Sequence, residues 1–254
     1  MNFNLSNKQA YGSDLSVQGF GANETLQAPE RTILEILRPK LSEMGMLDIG
    51  VGAGRTTVHF AEHVREYVGF DYVEGMVKEA RKRFPHIRFE VADATDMKEF
   101  PDHSFDFLLF SYNGIDCVSP EKRIRVLKEV CRVGKPKGFF CFSTHNLLGL
   151  KKLLTFQPHR NPRRFYTNLH RYIFTRIWNT SYKKVLGQDT AMIYEGAHAL
   201  ALTNHYIKPV AQVRQLRDLG FWDIRLFGLN GRELQEGEYF SNTDSWIYYL
   251  CRIP

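Results

Sequence analysis

Met46-Leu-Asp-Ile-Gly-Val-Gly-Ala-Gly-Arg-Thr-Thr57 decides the fold. An apolar run enters at Met46 and Leu47, an acid follows at Asp48, and glycines stand at 50, 52 and 54. Beyond Gly54 the spacing of Val58, Phe60, Ala61 and Val64 predicts a helix. The stretch therefore reads as strand, tight glycine turn, helix. Glycines let the backbone turn sharply and let a ligand approach the main chain. The helix start offers unpaired N–H groups to negative ligand atoms. By itself this says only that a nucleotide-like ligand binds here.

Asp71 narrows the reading. It ends a second apolar run, Glu66-Tyr-Val-Gly-Phe-Asp71, 21 residues after Gly50. An acid at that offset sits at the tip of the neighbouring strand and can accept hydrogen bonds from a ribose diol. A third tip follows at Ala92-Asp93-Ala94, after the run 87–91. A dinucleotide enzyme would want Gly-x-Gly-x-x-Gly, but the register from Gly50 meets Arg55 and that from Gly52 meets Thr57. The ligand then need not carry a pyrophosphate. Asp48 and Asp93 suit one with an amino group, a cationic sulfonium and an adenine amine.

Over residues 30–145, with a weaker return over 206–252, the chain resembles the class I S-adenosylmethionine-dependent methyltransferases. The resemblance implies an α/β fold: a seven-stranded, mostly parallel Rossmann-like sheet with helices on both faces, an antiparallel last strand and a lid insertion after the fifth strand. It implies S-adenosyl-L-methionine as cofactor and S-adenosyl-L-homocysteine as product. Leu47 to Gly54 matches the family's first motif, Asp71 its ribose acid, Asp93 and Ala94 the adenine contacts, and Asp48 the acid near the methionine amino group. Tyr72 departs from the small polar residue that many relatives carry. The cofactor set is thus Asp48, Gly50, Gly52, Gly54, Asp71, Tyr72, Asp93, Ala94, Ser111 and Asn113.

The remaining chain fits one domain of 254 residues. Residues 1–27 form a polar leader, 28–145 the cofactor core, 146–205 a lid and 206–254 a last helix with two closing strands. A helix over 28–38 is expected to stop at Pro39. Glu74–Phe84 reads as a helix, Phe105–Ser111 as a buried strand, and Ser119-Pro120-Glu121 as the cap of a helix reaching about Arg132. Phe139–Thr144 is the fifth strand, Val210–Leu219 the last helix, and Trp222–Phe227 with Ser245–Cys251 an antiparallel edge pair.

Methyl transfer from a sulfonium is an in-line displacement, accelerated largely by alignment. A base is needed only where the acceptor must lose a proton. His145 and Asp116, at the tips of the fifth and fourth strands, are the catalytic candidates. His145 serves as base or as a local structural bond. Asp116 and Asn113 hold the acceptor, hold the methionine end of the cofactor, or form the turn. His205 could face substrate from the lid. Arg55 reads as a surface residue in preference to a carboxylate clamp.

Charge is unevenly placed. Nine Lys or Arg and no acid lie between Lys151 and Lys184, so the rest of the chain carries −3 of the net +6. This segment reads as a solvated lid face, a site for an acidic metabolite, or a surface for RNA or anionic membrane. The fourth-strand tip, Ser111-Tyr-Asn-Gly114, lacks the proline-rich motif of base-amine methylation and has no cysteine nucleophile. Nucleobase acceptors are disfavoured, and a small-molecule acceptor, methylated on oxygen or nitrogen, is expected. An RNA substrate and a non-catalytic cofactor-binding protein are the alternatives. No metal site is expected. The four cysteines are scattered without a Cys-x-x-Cys pair, no apolar run reaches ~18 residues, and the N-terminus lacks an apolar signal core. These features lead us to expect a cytoplasmic protein.

Overall fold

The computed structural model describes residues 24–156, 158–179, 182–194 and 203–254. Most of the expected leader lies outside them. The described residues open with α1 (Ala28–Leu41), β1 (Gly45–Ile49), the single turn α2 (Thr57–Phe60), β2 (Glu66–Asp71), α3 (Glu74–Arg83), β3 (Arg88–Val91) and β4 (Phe105–Phe110). They continue with α4 (Pro120–Val133), β5 (Gly134–Asn146), α5 (Leu150–Leu154), α6 (Pro162–Trp178), α7 (Tyr182–Leu186), β6 (Thr190–Tyr194) and β7 (Thr203–Ile207). They end with α8 (Pro209–Asp218), β8 (Trp222–Phe227) and β9 (Trp246–Arg252).

Strands β3, β2, β1, β4 and β5 pair in that order, all parallel. Strand β9 runs antiparallel to β5, and β8 pairs antiparallel with β9. These are the seven expected strands. Period-two alternation assigns the faces. Leu47, Ile49, Leu108, Phe110, Phe140 and Phe142 meet α4 and α8 on one side. Met46, Phe107, Leu109 and Cys141 meet α1 and α3 on the other. The four cysteines are free; Cys141 and Cys251 are buried and the other two half-buried.

Among the described residues the sheet has nine strands, because the insertion adds the antiparallel hairpin β6–β7. Strand β4 pairs with β5 only as far as Phe110 opposite Phe142. At His145, β5 has Trp246 of β9 on one edge and Tyr206 of β7 on the other. Strand β7 therefore takes the edge of β5 that β4 leaves free beyond Phe110.

Two local expectations are corrected. Helix α1 continues through Pro39 to Leu41. Proline removes one backbone bond near the helix end, and fully buried Leu41 anchors the last turn. After the glycine turn, the helix predicted from Val58, Phe60, Ala61 and Val64 is one α-turn followed by a 3-10 turn at Ala61–His63, and Val58 faces solvent.

Candidate active site

The three strand tips meet. Val51 N–H donates to the Phe70 carbonyl at 3.0 Å, and Ala92 N–H to the Asp71 carbonyl at 3.2 Å. Asp71 accepts from Gly52 N at 3.0 Å through one carboxylate oxygen and from Val73 N at 2.9 Å through the other. Burial pushes its pKa up, and these backbone donors oppose the shift. Each oxygen keeps a lone pair for a further donor. Gly50, Gly52 and Gly54 all have positive φ. A Cβ on Gly54 would strike the Phe84 ring at 2.5 Å, whereas one on Gly52 would meet nothing within 4 Å. Gly54 is thus fixed by packing, and Gly52 faces open space where a ligand can lie. Asp93 is exposed, with Oδ1 accepting from Thr95 N and Oγ1 at 2.8 Å each. Tyr72 is half-buried against Ala53, Val73 and Met76, and Ala94 packs on the core edge.

Asp48 lies beneath the loop, buried in the sheet. Its Oδ2 accepts from Thr56 Oγ1 and Tyr67 OH, both at 2.5 Å. Burial pushes its pKa up to about 6 despite these donors. The structure therefore places it as a support of the loop.

Arg55 is a buried residue, contrary to the surface reading. Its guanidinium grips Glu30 with two bonds, at 2.7 and 2.6 Å, and lies over the Tyr112 ring at 5.0 Å. Glu30 Oε1 also accepts from Ser111 Oγ and from Tyr248 OH at 2.9 Å. Burial raises the Glu30 pKa, but the Arg55 bonds outweigh it and hold the carboxyl below its ordinary value. The Ser111 hydroxyl is committed to this cluster and holds the β4 tip onto α1. No spacing in the sequence joins Glu30 to Arg55.

Past β4 the chain turns through Tyr112 and Asn113, both with positive φ. Asn113 N–H donates to Ser143 Oγ at 2.8 Å, and a 3-10 turn at Gly114–Cys117 then carries Asp116 inward. Asp116 and His145 are brought together: Asp116 Oδ2 accepts from His145 Nδ1 at 2.9 Å and from His145 backbone N at 2.7 Å. Oδ1 accepts from Thr144 Oγ1 at 2.7 Å and Arg123 at 2.5 Å. Burial works to raise the Asp116 pKa, but Arg123 and His145 hold it below its usual range. Asp116 is wholly buried and bonds both the ring and the backbone of His145. A carboxylate can only accept, so His145 Nδ1 donates to Asp116, and Nε2 lies 3.3 Å from Asn113 Nδ2. The imidazole stacks on Tyr206 at 4.7 Å, with Trp246 edge-on at 6.3 Å. His205 is buried on β7, its pKa pushed down to about 4 by burial and by nearby Arg123.

Arg123 itself was missed. It lies on the buried stripe of α4 with Val126, Leu127, Val130 and Val133, where a lone charge among apolar positions is a legible signal of a buried pair.

The acceptor set fits an adenosyl amino-acid ligand. Asp71 has capacity for a diol, Asp93 for an exocyclic amine, and Gly52 leaves room beside the backbone. Asn113 Oδ1 is buried with no hydrogen-bond partner, an acceptor waiting for a donor such as an ammonium.

Comparison with known proteins agrees. Residues 46–138 match the family model described as a methyltransferase domain. The chain is 35% identical over 109 residues to the uncharacterized methyltransferase YcgJ of Bacillus subtilis, covering 41% of this chain and 42% of that protein. It is 32% identical over 108 residues to a demethylmenaquinone methyltransferase of Paenarthrobacter aurescens, covering 42% and 41%. The matches thus span about two fifths of these relatives. A solved S-adenosylmethionine-dependent methyltransferase from Mesorhizobium loti superposes with a TM-score of 0.61 at 20% identity, covering 88% of this chain and 97% of that one. The chain has the fold of the class I S-adenosylmethionine-dependent methyltransferases.

Proposed function

We propose that this chain transfers a methyl group from S-adenosylmethionine to an oxygen or nitrogen of a small-molecule acceptor, with His145 as the base. The observation that carries the proposal is a convergence at one sheet edge. A glycine bend is bonded to Asp71, Asp93 stands open on the next tip, and beyond β4 a histidine is oriented by a buried carboxylate.

S-adenosylmethionine supplies an electrophilic methyl group on a cationic sulfonium. Asp71 accepts from the ribose hydroxyls, and Asp93 with the Ala94 backbone holds the adenine edge. Gly52 lets the main chain lie close to the ligand, Gly50 and Gly54 shape the bend against Phe110 and Phe84, and Asp48 stiffens the loop from below. Asn113 Oδ1 would accept a hydrogen bond from the methionine ammonium. His145 Nε2 receives the acceptor's proton, and Asp116 stabilises the imidazolium that forms.

A quinol-type acceptor suits this base. A phenolic hydroxyl gives up its proton readily, and the oxygen anion it leaves is the nucleophile for the methyl group. The matched demethylmenaquinone methyltransferase supports that substrate class.

Calorimetry with S-adenosylhomocysteine tests the cofactor set. Asp71→Ala should weaken binding at least about tenfold, because a ribose diol loses a charge-assisted pair. Unchanged affinity rejects the assignment. Turnover on phenols, quinols and amines tests the base. His145→Gln should lower kcat by about 10²–10⁴ while product affinity stays within about twofold. An undiminished kcat removes His145 from the chemistry.

A further inference from the structure

The basic helix α6 carries a feature that methyl transfer does not use. Tyr166, His170, Ile173 and Ile177 recur at steps of four, three and four, the spacing of one helical face. That face looks outward: Tyr166 is 70% exposed, Ile173 44% and Ile177 69%, while Thr175 on the opposite side is fully buried. Arg163 and Arg176 fall on either flank of the stripe, and no acid occurs anywhere in the helix. Exposed isoleucines framed by arginines on a helix free of negative charge match an interface with apolar depth and anionic headgroups. Nucleic acid would match the arginines but not the aliphatic pair, because bases stack on aromatic rings.

We propose that α6 is an interfacial helix that docks this protein on an anionic lipid surface. Ile173, Ile177 and Tyr166 enter the acyl boundary, and the arginines lie among the headgroups. The insertion departs from the carboxyl tip of β5, directly after His145, so docking brings the candidate site toward membrane-dissolved acceptors. The docking stands without the methyl-transfer reading; only the nature of the delivered acceptor rests on it.

Vesicle flotation of the full chain tests this. The chain should float with phosphatidylcholine vesicles containing about one-third phosphatidylglycerol, not with pure phosphatidylcholine, and salt should weaken the association. Ile173→Asp/Ile177→Asp should reduce flotation about tenfold or more, since two anchors are replaced by charges repelled from the surface. Both positions are exposed, so circular dichroism and S-adenosylhomocysteine affinity should be unchanged. No flotation, equal flotation with neutral vesicles, or undiminished flotation of the double variant overturns the proposal. So does salt-sensitive binding to a random RNA oligonucleotide in place of vesicles, or a dimer in solution that the double variant dissociates. Loss of homocysteine-product binding by the parent chain would instead strike the methyltransferase reading and leave the docking result intact.

Discussion

Asp48 shows how one residue can sit inside a recognised motif and still serve the fold first. Its acid is buried with two hydroxyl donors on one oxygen, and burial lifts its pKa from 3.8 to about 6. An acid raised in the folded state weakens folding as pH climbs through that window; the cost is absent below about 3.8 and complete above about 6. Asp48→Asn retains an acceptor for Thr56 and Tyr67 and removes the charge. Urea denaturation of the cofactor-free chain should find the variant more stable at alkaline pH by on the order of 1–3 kcal/mol. It should also flatten the pH dependence across the same window. A variant less stable than its parent at alkaline pH would show that the charge is compensated.

At the scale of elements, the glycine turn between β1 and α2 separates two demands that look alike in sequence. Gly52 and Gly54 both have positive φ, but only Gly54 abuts a ring. Gly52→Ala should cost about 1–2 kcal/mol of stability from backbone strain, and the new methyl group should intrude on the ligand and weaken S-adenosylhomocysteine binding. Gly54→Ala meets both the strain and Phe84, so it should lower the melting temperature much more. Melting and calorimetry on the pair separate the two roles; equal melting temperatures would contradict them. Elements governed by local rules were legible beforehand. Strand β8 begins and ends at the expected residues, and α3 and α8 fall within a residue of theirs. Strands β6 and β7 were not, because five-residue strands inside a basic insertion carry little periodic signal and pair only once the β5 edge beyond Phe142 is left open.

Across the whole molecule, buried charge ties distant layers together. Glu30 on α1 binds Arg55 after the glycine turn, Ser111 beyond β4 and Tyr248 on β9. Arg123 on α4 joins Asp116 past β4 to Gln212 on α8. Removing one partner strands a charge away from water. Glu30→Gln should cost about 3–5 kcal/mol in urea denaturation, and Glu30→Met/Arg55→Met should recover much of that loss. A single variant as stable as the parent would show that Arg55 finds other solvation. The sequence by itself determined the parallel sheet, the glycine turn and the acids at three successive tips, because alternation, turn geometry and strand-end spacing are written within short stretches. It also brought His145 and Asp116 forward as candidates. Only the tertiary structure decided that Asp116 orients His145, that Arg55 is an internal partner of Glu30, and that the strand pair β6–β7 takes the edge of β5 beyond β4. Those partners lie 29 and 25 residues apart in the chain, and Arg123 and Gln212 lie 89 apart. Contacts at such separations are set by which faces pack together, and no local pattern records them.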